Sequence, residues 1–174
     1  MHLTHLPALD HRDLLAQPVA VALSRWSGAS EVTVAGIDPS LADTAAFCEA
    51  YDLALTDSAN CVVVAGRRDG QERVAACMVR ADTRADVNTV VKRLLDVRKA
   101  SFLAMDRAVE ESGMEYGGIT PLGIPAGWRL LVDSRVAAIG SACIGSGLRS
   151  SKLFLPGRLI AELPGAEVVD GLAR

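Results

Sequence analysis

Residues 59–81 read ANCVVVAGRRDGQERVAACMVRA, two apolar runs on either side of a charged centre. Each run is rich in valine and alanine and has the length of a strand. Asp69-Gly70 between them is a pair that tolerates the positive φ angles of a tight turn. The stretch predicts an antiparallel hairpin, with strands over 59–66 and 73–81. That reading decides the fold class, because the elements around the hairpin do not form a regular βαβ series.

Upstream, EVTVAGI (31–37) alternates like a strand, and Asp38-Pro39 reads as the cap and first turn of a helix through LADTAAFCEAY. Residues 12–26 carry a helical apolar spacing, interrupted near Pro18 and ended by Ser27-Gly28. Downstream, Val87, Val90, Val91, Leu94 and Leu95 recur at helical intervals, so a helix over 86–97 capped by Asp86 is expected. A shorter helix over 104–112 should stop at Gly113. RLLVD (129–133), VAAIGSACIG (136–145), SKLFL (151–155) and AEVVD (166–170) read as strands, with a short helix near 157–162. With no internal repeat or linker-like tract, the chain reads as one α+β domain with a mixed or mostly antiparallel sheet.

Composition narrows the function. The 174 residues are half hydrophobic but only 4% aromatic, so the core rests on Val, Leu, Ile and Ala. The formal net charge of −3 excludes a protein that holds nucleic acid by its overall field. All three histidines (His2, His5, His11) fall in the first eleven residues, which removes most histidine-based triads and metal sites from the rest of the chain. Cys48, Cys61, Cys77 and Cys143 are scattered without a CxxC pair and read as buried free thiols. Neither a signal peptide nor a membrane-spanning run is evident, so a cytoplasmic protein is expected.

Three constellations can carry chemistry. GGITPLGIP (117–125) suits neither helix nor strand; it is either a stiff apolar crossover or a pocket wall whose backbone N–H groups cradle an oxygen. GSGLRSSK (145–152) is an anion-binding turn carrying Arg149 and Lys152, or a solvated hairpin turn; it is not a Walker A loop. Asp133, ending an apolar strand, can bind an amine, orient a water or cap the next turn.

Taken in order, DPSLADTAAF, ANCVVVAG, TRADVNTVVKRLLDVRKASF, SGMEYGGITPLGIP, LLVDSRV and IGSGLRSSKLFL resemble the YbaK/EbsC/ProX-type family of aminoacyl-tRNA deacylases, also found inserted in bacterial prolyl-tRNA synthetases. The resemblance runs from about residue 31 to the end, which leaves 1–30 as an N-terminal extension and 31–174 as the deacylase domain. It implies a single domain with a curved mixed, largely antiparallel sheet flanked by helices. It also implies hydrolysis of a mischarged tRNA ester carrying a small amino acid such as Ala, Ser or Cys, with neither metal nor cofactor. A synthetase pocket discriminates a missing methylene by only about 1–3 kcal/mol, which is why such editing is needed.

On this likeness Gly117, Gly118, Ile119, Thr120, Pro121 and Gly123 shape the aminoacyl pocket, and Gly145, Ser146 and Gly147 form the opposite rim. Asp133 is expected beneath the site. The partners implied are the tRNA acceptor end, with Arg67, Arg68, Lys92, Arg93, Arg98 and Lys99 as a basic rim, and a synthetase. The family carries a lysine at the start of the strand ANCVVVAG, and Asn60 stands in its place here. Lys152 is the candidate to supply that charge. The alternative is a non-catalytic or repurposed module that binds aminoacyl-tRNA or adenosine.

Overall fold

A computed structural model describes all 174 residues. The chain runs β1 (Leu6–Pro7), α1 (Gln17–Arg25), β2 (Thr33–Gly36), α2 (Thr44–Tyr51), β3 (Ala59–Arg68), β4 (Gln71–Arg80), α3 (Lys92–Leu95), β5 (Ala100–Phe102), α4 (Met105–Ser112), β6 (Trp128–Asp133), α5 (Ser134–Ala137), β7 (Ala142–Gly145), β8 (Ser151–Leu155), α6 (Gly157–Ala161) and β9 (Ala166–Val169). The hairpin β3–β4 is in register from Ala59 opposite Arg80 to Arg68 opposite Gln71. Asp69 (φ 52°) and Gly70 (φ 79°) are both left-handed, as a two-residue turn requires. The ladder outlasts the apolar runs because backbone pairing continues under exposed Arg67, Arg68 and Glu72.

Two sheets form instead of one. The first has the order β5-β3-β4-β6-β9, the second β1-β2-β8-β7. Pairing is antiparallel throughout the second sheet and parallel only at β4–β6 and β6–β9 in the first. The fold is a mixed α+β domain with helices flanking both sheets. Alternation along β4 divides its side chains: Val74, Ala76 and Met78 join the main core between the sheets, whereas Ala75, Cys77 and Val79 pack with Val91 and Leu95 on the other face. Ala8, Val19 and Leu23, from the first thirty residues, are buried in that main core.

Several local expectations are corrected. Pro18 does not interrupt a helix; it sits in the first turn of α1, where its missing N–H costs nothing. Asp38 caps only a 3₁₀ turn over Pro39–Leu41, and α2 begins later because Asp43 accepts from the N–H groups of Ala45 and Ala46. The segment 86–97 opens as a π turn over Val87–Val91 before α3 and ends at left-handed Asp96. VAAIGSACIG is not one strand: Asp133 accepts from Arg135 N–H and starts α5, so the strand is confined to Ala142–Gly145.

GGITPLGIP forms no regular element. It leaves α4 and crosses the β7–β8 connection at van der Waals range. Gly147 N–H donates to Gly118 O at 2.8 Å, and Glu115 N–H donates to Gly147 O at 2.8 Å. A Cβ on Gly118 would lie 2.7 Å from Leu148 O, and one on Gly145 would collide with Gly118 O. The two segments touch backbone to backbone, which leaves no room for a side chain. Gly145→Ala is therefore expected to destabilise the fold by about 1–3 kcal/mol. Gly127→Ala, where an added Cβ meets nothing within 4 Å, should change stability by less than about 0.5 kcal/mol. Urea unfolding of the two variants beside the parent checks this.

Candidate functional site

A cavity of about 580 Å³ opens where β3 of one sheet approaches β7 of the other, joined by a bridge between Ser58 and Cys143. Its floor and one wall come from the start of α2 (Ala42, Asp43, Thr44, Phe47) and the first half of β3 (Ala59 to Val63). The β5–α4 segment supplies Phe102, Leu103 and Met105. The glycine loop contributes Tyr116, Gly117 and Ile119, and the β7–β8 hairpin contributes Gly145, Arg149 and Lys152.

Lys152 is the site's most unusual group. It points inward from β8, is 5% exposed and forms no ion pair; Asp43 of the same cavity acts on it only from beyond ion-pair range. Its Nζ donates to Ala42 O at 3.1 Å and lies 5.4 Å from the centre of the Phe47 ring. One acceptor is therefore met by three donors, and two N–H bonds are left for a ligand. Burial pushes its pKa below the ordinary 10.5.

Asn60 lines the same cavity. Thr44 Oγ1 donates to Asn60 Oδ1 at 2.6 Å, which leaves the amide N–H₂ without a protein acceptor. At the mouth, the Arg149 guanidinium donates to Tyr116 O at 3.1 Å and Pro39 O at 3.2 Å. The lining is thus rich in donors. Cys61 and Cys143 also face the cavity, but burial pushes the Cys143 thiol up to about 12 and raises that of Cys61 as well. Neither is a thiolate at neutral pH, so neither is a ready nucleophile.

Of the residues singled out in the sequence, Asn60, Gly117, Ile119, Gly145 and Lys152 line the cavity. Gly118, Ser146 and Gly147 stand behind its wall. Gly118 O is taken by Gly147 N–H, and Ser146 Oγ is bonded to Ser151 Oγ at 2.7 Å. Thr120 is fully buried with an unpartnered Oγ1, outside the cavity lining. Pro121 and Gly123 border a different hollow, beside Trp26 and Leu163.

Asp133 is not beneath the site. Its side chain, fully buried, accepts from Arg135 N–H and Nε, both at 2.9 Å, and from Ala173 N–H at 2.9 Å, so it is committed to holding α5 and the C-terminus. Among the basic residues, Arg67 pairs with Glu72 and Arg68 with Asp96, whereas Arg93, Arg98 and Lys99 are exposed and unpaired. Phe47, Phe102 and Tyr116 were not singled out by the sequence, although each lies in one of the landmark segments DPSLADTAAF, TRADVNTVVKRLLDVRKASF and SGMEYGGITPLGIP.

Residues 38–163 match the family model of the aminoacyl-tRNA editing domain. The chain belongs to that family. The match covers every cavity-lining segment of the editing domain, from Ala42 to Lys152. Among solved structures, a candidate trans-editing enzyme for prolyl tRNA synthetase superposes with a TM-score of 0.75 at 19% identity, over 89% of this chain and 94% of the other. The hypothetical protein APE2540 gives a TM-score of 0.65 at 22% identity, over 74% and 83% of the two chains. A candidate signal transduction protein from Marinobacter aquaeolei VT8 gives 0.58 at 19% identity, over 88% of this chain but only 30% of that one. At these identities the likeness shows a shared fold. No curated protein matches this chain by sequence. No helix is long and apolar enough to cross a membrane.

Asp133 carries a prediction of its own. Burial alone would raise its pKa, but the Arg135 pair and the two backbone N–H groups outweigh that and hold it below 3.8. Because the folded value is depressed, its stabilisation is complete above the unfolded value and is lost as pH falls through the folded one. Asp133→Asn should cost about 2–3 kcal/mol at pH 7. The gap between parent and variant should narrow steadily on acidification below about pH 4, read from urea midpoints.

Proposed function

We propose that this editing domain hydrolyses the ester of mischarged tRNA carrying a small amino acid such as Ala, Ser or Cys. The observation that carries the reading is Lys152, a cavity-lining ammonium with unused donors and no carboxylate within ion-pair range. In ester hydrolysis a water oxygen attacks the carbonyl carbon, and negative charge gathers on the carbonyl oxygen. The C–O bond to the ribose then breaks, releasing the amino acid and the tRNA hydroxyl. A buried cation stabilises that oxyanion far more than a solvated one, since little water screens it.

In this reading Lys152 and the Asn60 amide face the carbonyl oxygen, and Gly117, Ile119 and Gly145 wall the aminoacyl group. Gly118, Thr120, Pro121, Gly123, Ser146 and Gly147 hold that wall from behind. The reaction is assigned to a positioned water and side-chain donors, without a metal ion or cofactor. Residues 31–174 form the editing unit, and 1–30 are an extension whose apolar side chains complete its core. The fold shared with a candidate trans-editing enzyme for prolyl tRNA synthetase supports action in trans, with the acceptor end of tRNA as partner and a synthetase nearby. A module that binds without turnover is the second reading, favoured by Asn60 standing where the family carries lysine.

Purified protein incubated with Ala-, Ser- and Cys-charged tRNAs should release amino acid above background. Absence of ester loss from all three, with binding retained, would leave the binding module. Lys152→Met, which keeps the side chain's bulk and removes its charge, should lower kcat by about 10²-fold. Asn60→Lys puts a second cation in the cavity and should lower activity by about tenfold; a gain would mean that the natural site is silent. Activity that needs the ammonium should decline, relative to spontaneous hydrolysis, before pH reaches 10.5, because burial depresses the Lys152 pKa.

A further inference from the structure

Phe102 and Tyr116 are 63% and 60% exposed, and both line the mouth of the cavity. They are the only aromatic rings among the exposed large hydrophobic side chains of a chain with few aromatics. Neither ring is paired inside the protein; the ring contacts are His5 with Phe154 and Phe47 with Tyr51. Met105, 55% exposed, adds to the same rim. The Arg149 guanidinium is fixed beside them by Tyr116 O and Pro39 O and forms no ion pair, the nearby Glu115 carboxylate being taken by the Arg149 backbone N–H at 2.6 Å. Two exposed rings and a guanidinium outside any ion pair thus flank the entrance to the cavity.

We propose that Phe102 and Tyr116 are a stacking platform for the unpaired bases at the 3′ end of tRNA, the terminal adenine first, with Arg149 taking an adjoining phosphate. The inference rests on the deacylase reading for its direction. An ester whose carbonyl reaches Lys152 and Asn60 leaves its attached nucleoside at the mouth, where the rings are. Stacking suits this task because every base has a π face and the 3′ end is single-stranded. An apolar protein partner would use the hydrophobic area of the rim but would leave the guanidinium unmatched.

The test uses an uncharged RNA hairpin ending in single-stranded ACCA and the same RNA with an abasic terminal ribose. Binding to the full chain is read by fluorescence anisotropy. The parent should prefer the intact end by about tenfold. Phe102→Leu and Tyr116→Leu, which keep apolar area and remove the ring, should erode that preference, whereas Phe102→Trp and Tyr116→Phe should keep it. Equal affinity for both RNAs, binding of neither, or leucine variants that behave like the parent would overturn the proposal. Binding of neither RNA would leave the rim to a partner other than tRNA. Since these RNAs carry no ester, the result stands apart from whether hydrolysis occurs.

Discussion

The backbone crossing of Gly118 with Gly145–Gly147 is the constraint on which the rest of the cavity depends. The glycine loop leads into β6 of one sheet, and the hairpin β7–β8 belongs to the other. Gly147 N–H to Gly118 O and Glu115 N–H to Gly147 O fasten the two where no side chain fits between them. If the segments stood one side chain apart, Ile119 and Gly145 would no longer share a wall with Lys152. The prolines of the loop serve the same end by limiting the paths it can take.

Around that crossing the site separates its charges by depth. Lys152 is buried, held by a carbonyl and an aromatic face instead of a carboxylate. Arg149 stands at the mouth, tied by two carbonyls. A carboxylate partner would have satisfied either cation and cancelled the field inside the cavity. Several arginines outside the cavity are paired, as Arg107 with Glu72 and Glu111 and Arg129 with Glu167 show. Asp133 illustrates the opposite use of a charge: buried, paired and capping, it spends all its acceptors on structure.

Elements with local signals were legible in the sequence. The β3–β4 hairpin, the stop of α4 at Gly113 and the strands β2, β6 and β8 follow from turn chemistry and period alone. Boundaries set by a competing side chain were misread. Asp43, not Asp38, starts α2, and Asp133 turns the presumed strand after it into α5, because an acidic side chain two residues from a free N–H can cap without changing the hydrophobic pattern. One sheet became two, because periodicity states that a residue faces a core and not which core it faces.

By itself, the sequence determined the class of fold, the family order of the landmarks and the importance of the two glycine-rich segments, since these rest on residue type and local spacing. Only the tertiary structure decided that Lys152 lies with Asn60 and Thr44 in one cavity and that Asp133 lies outside it. It alone placed Phe102 and Tyr116 at a common mouth. These residues come from β8, β3, α2, β5 and the loop after α4, and their meeting depends on how two sheets pack. The free energy of that packing is spread over a core of small aliphatic side chains, and no short stretch of sequence encodes it.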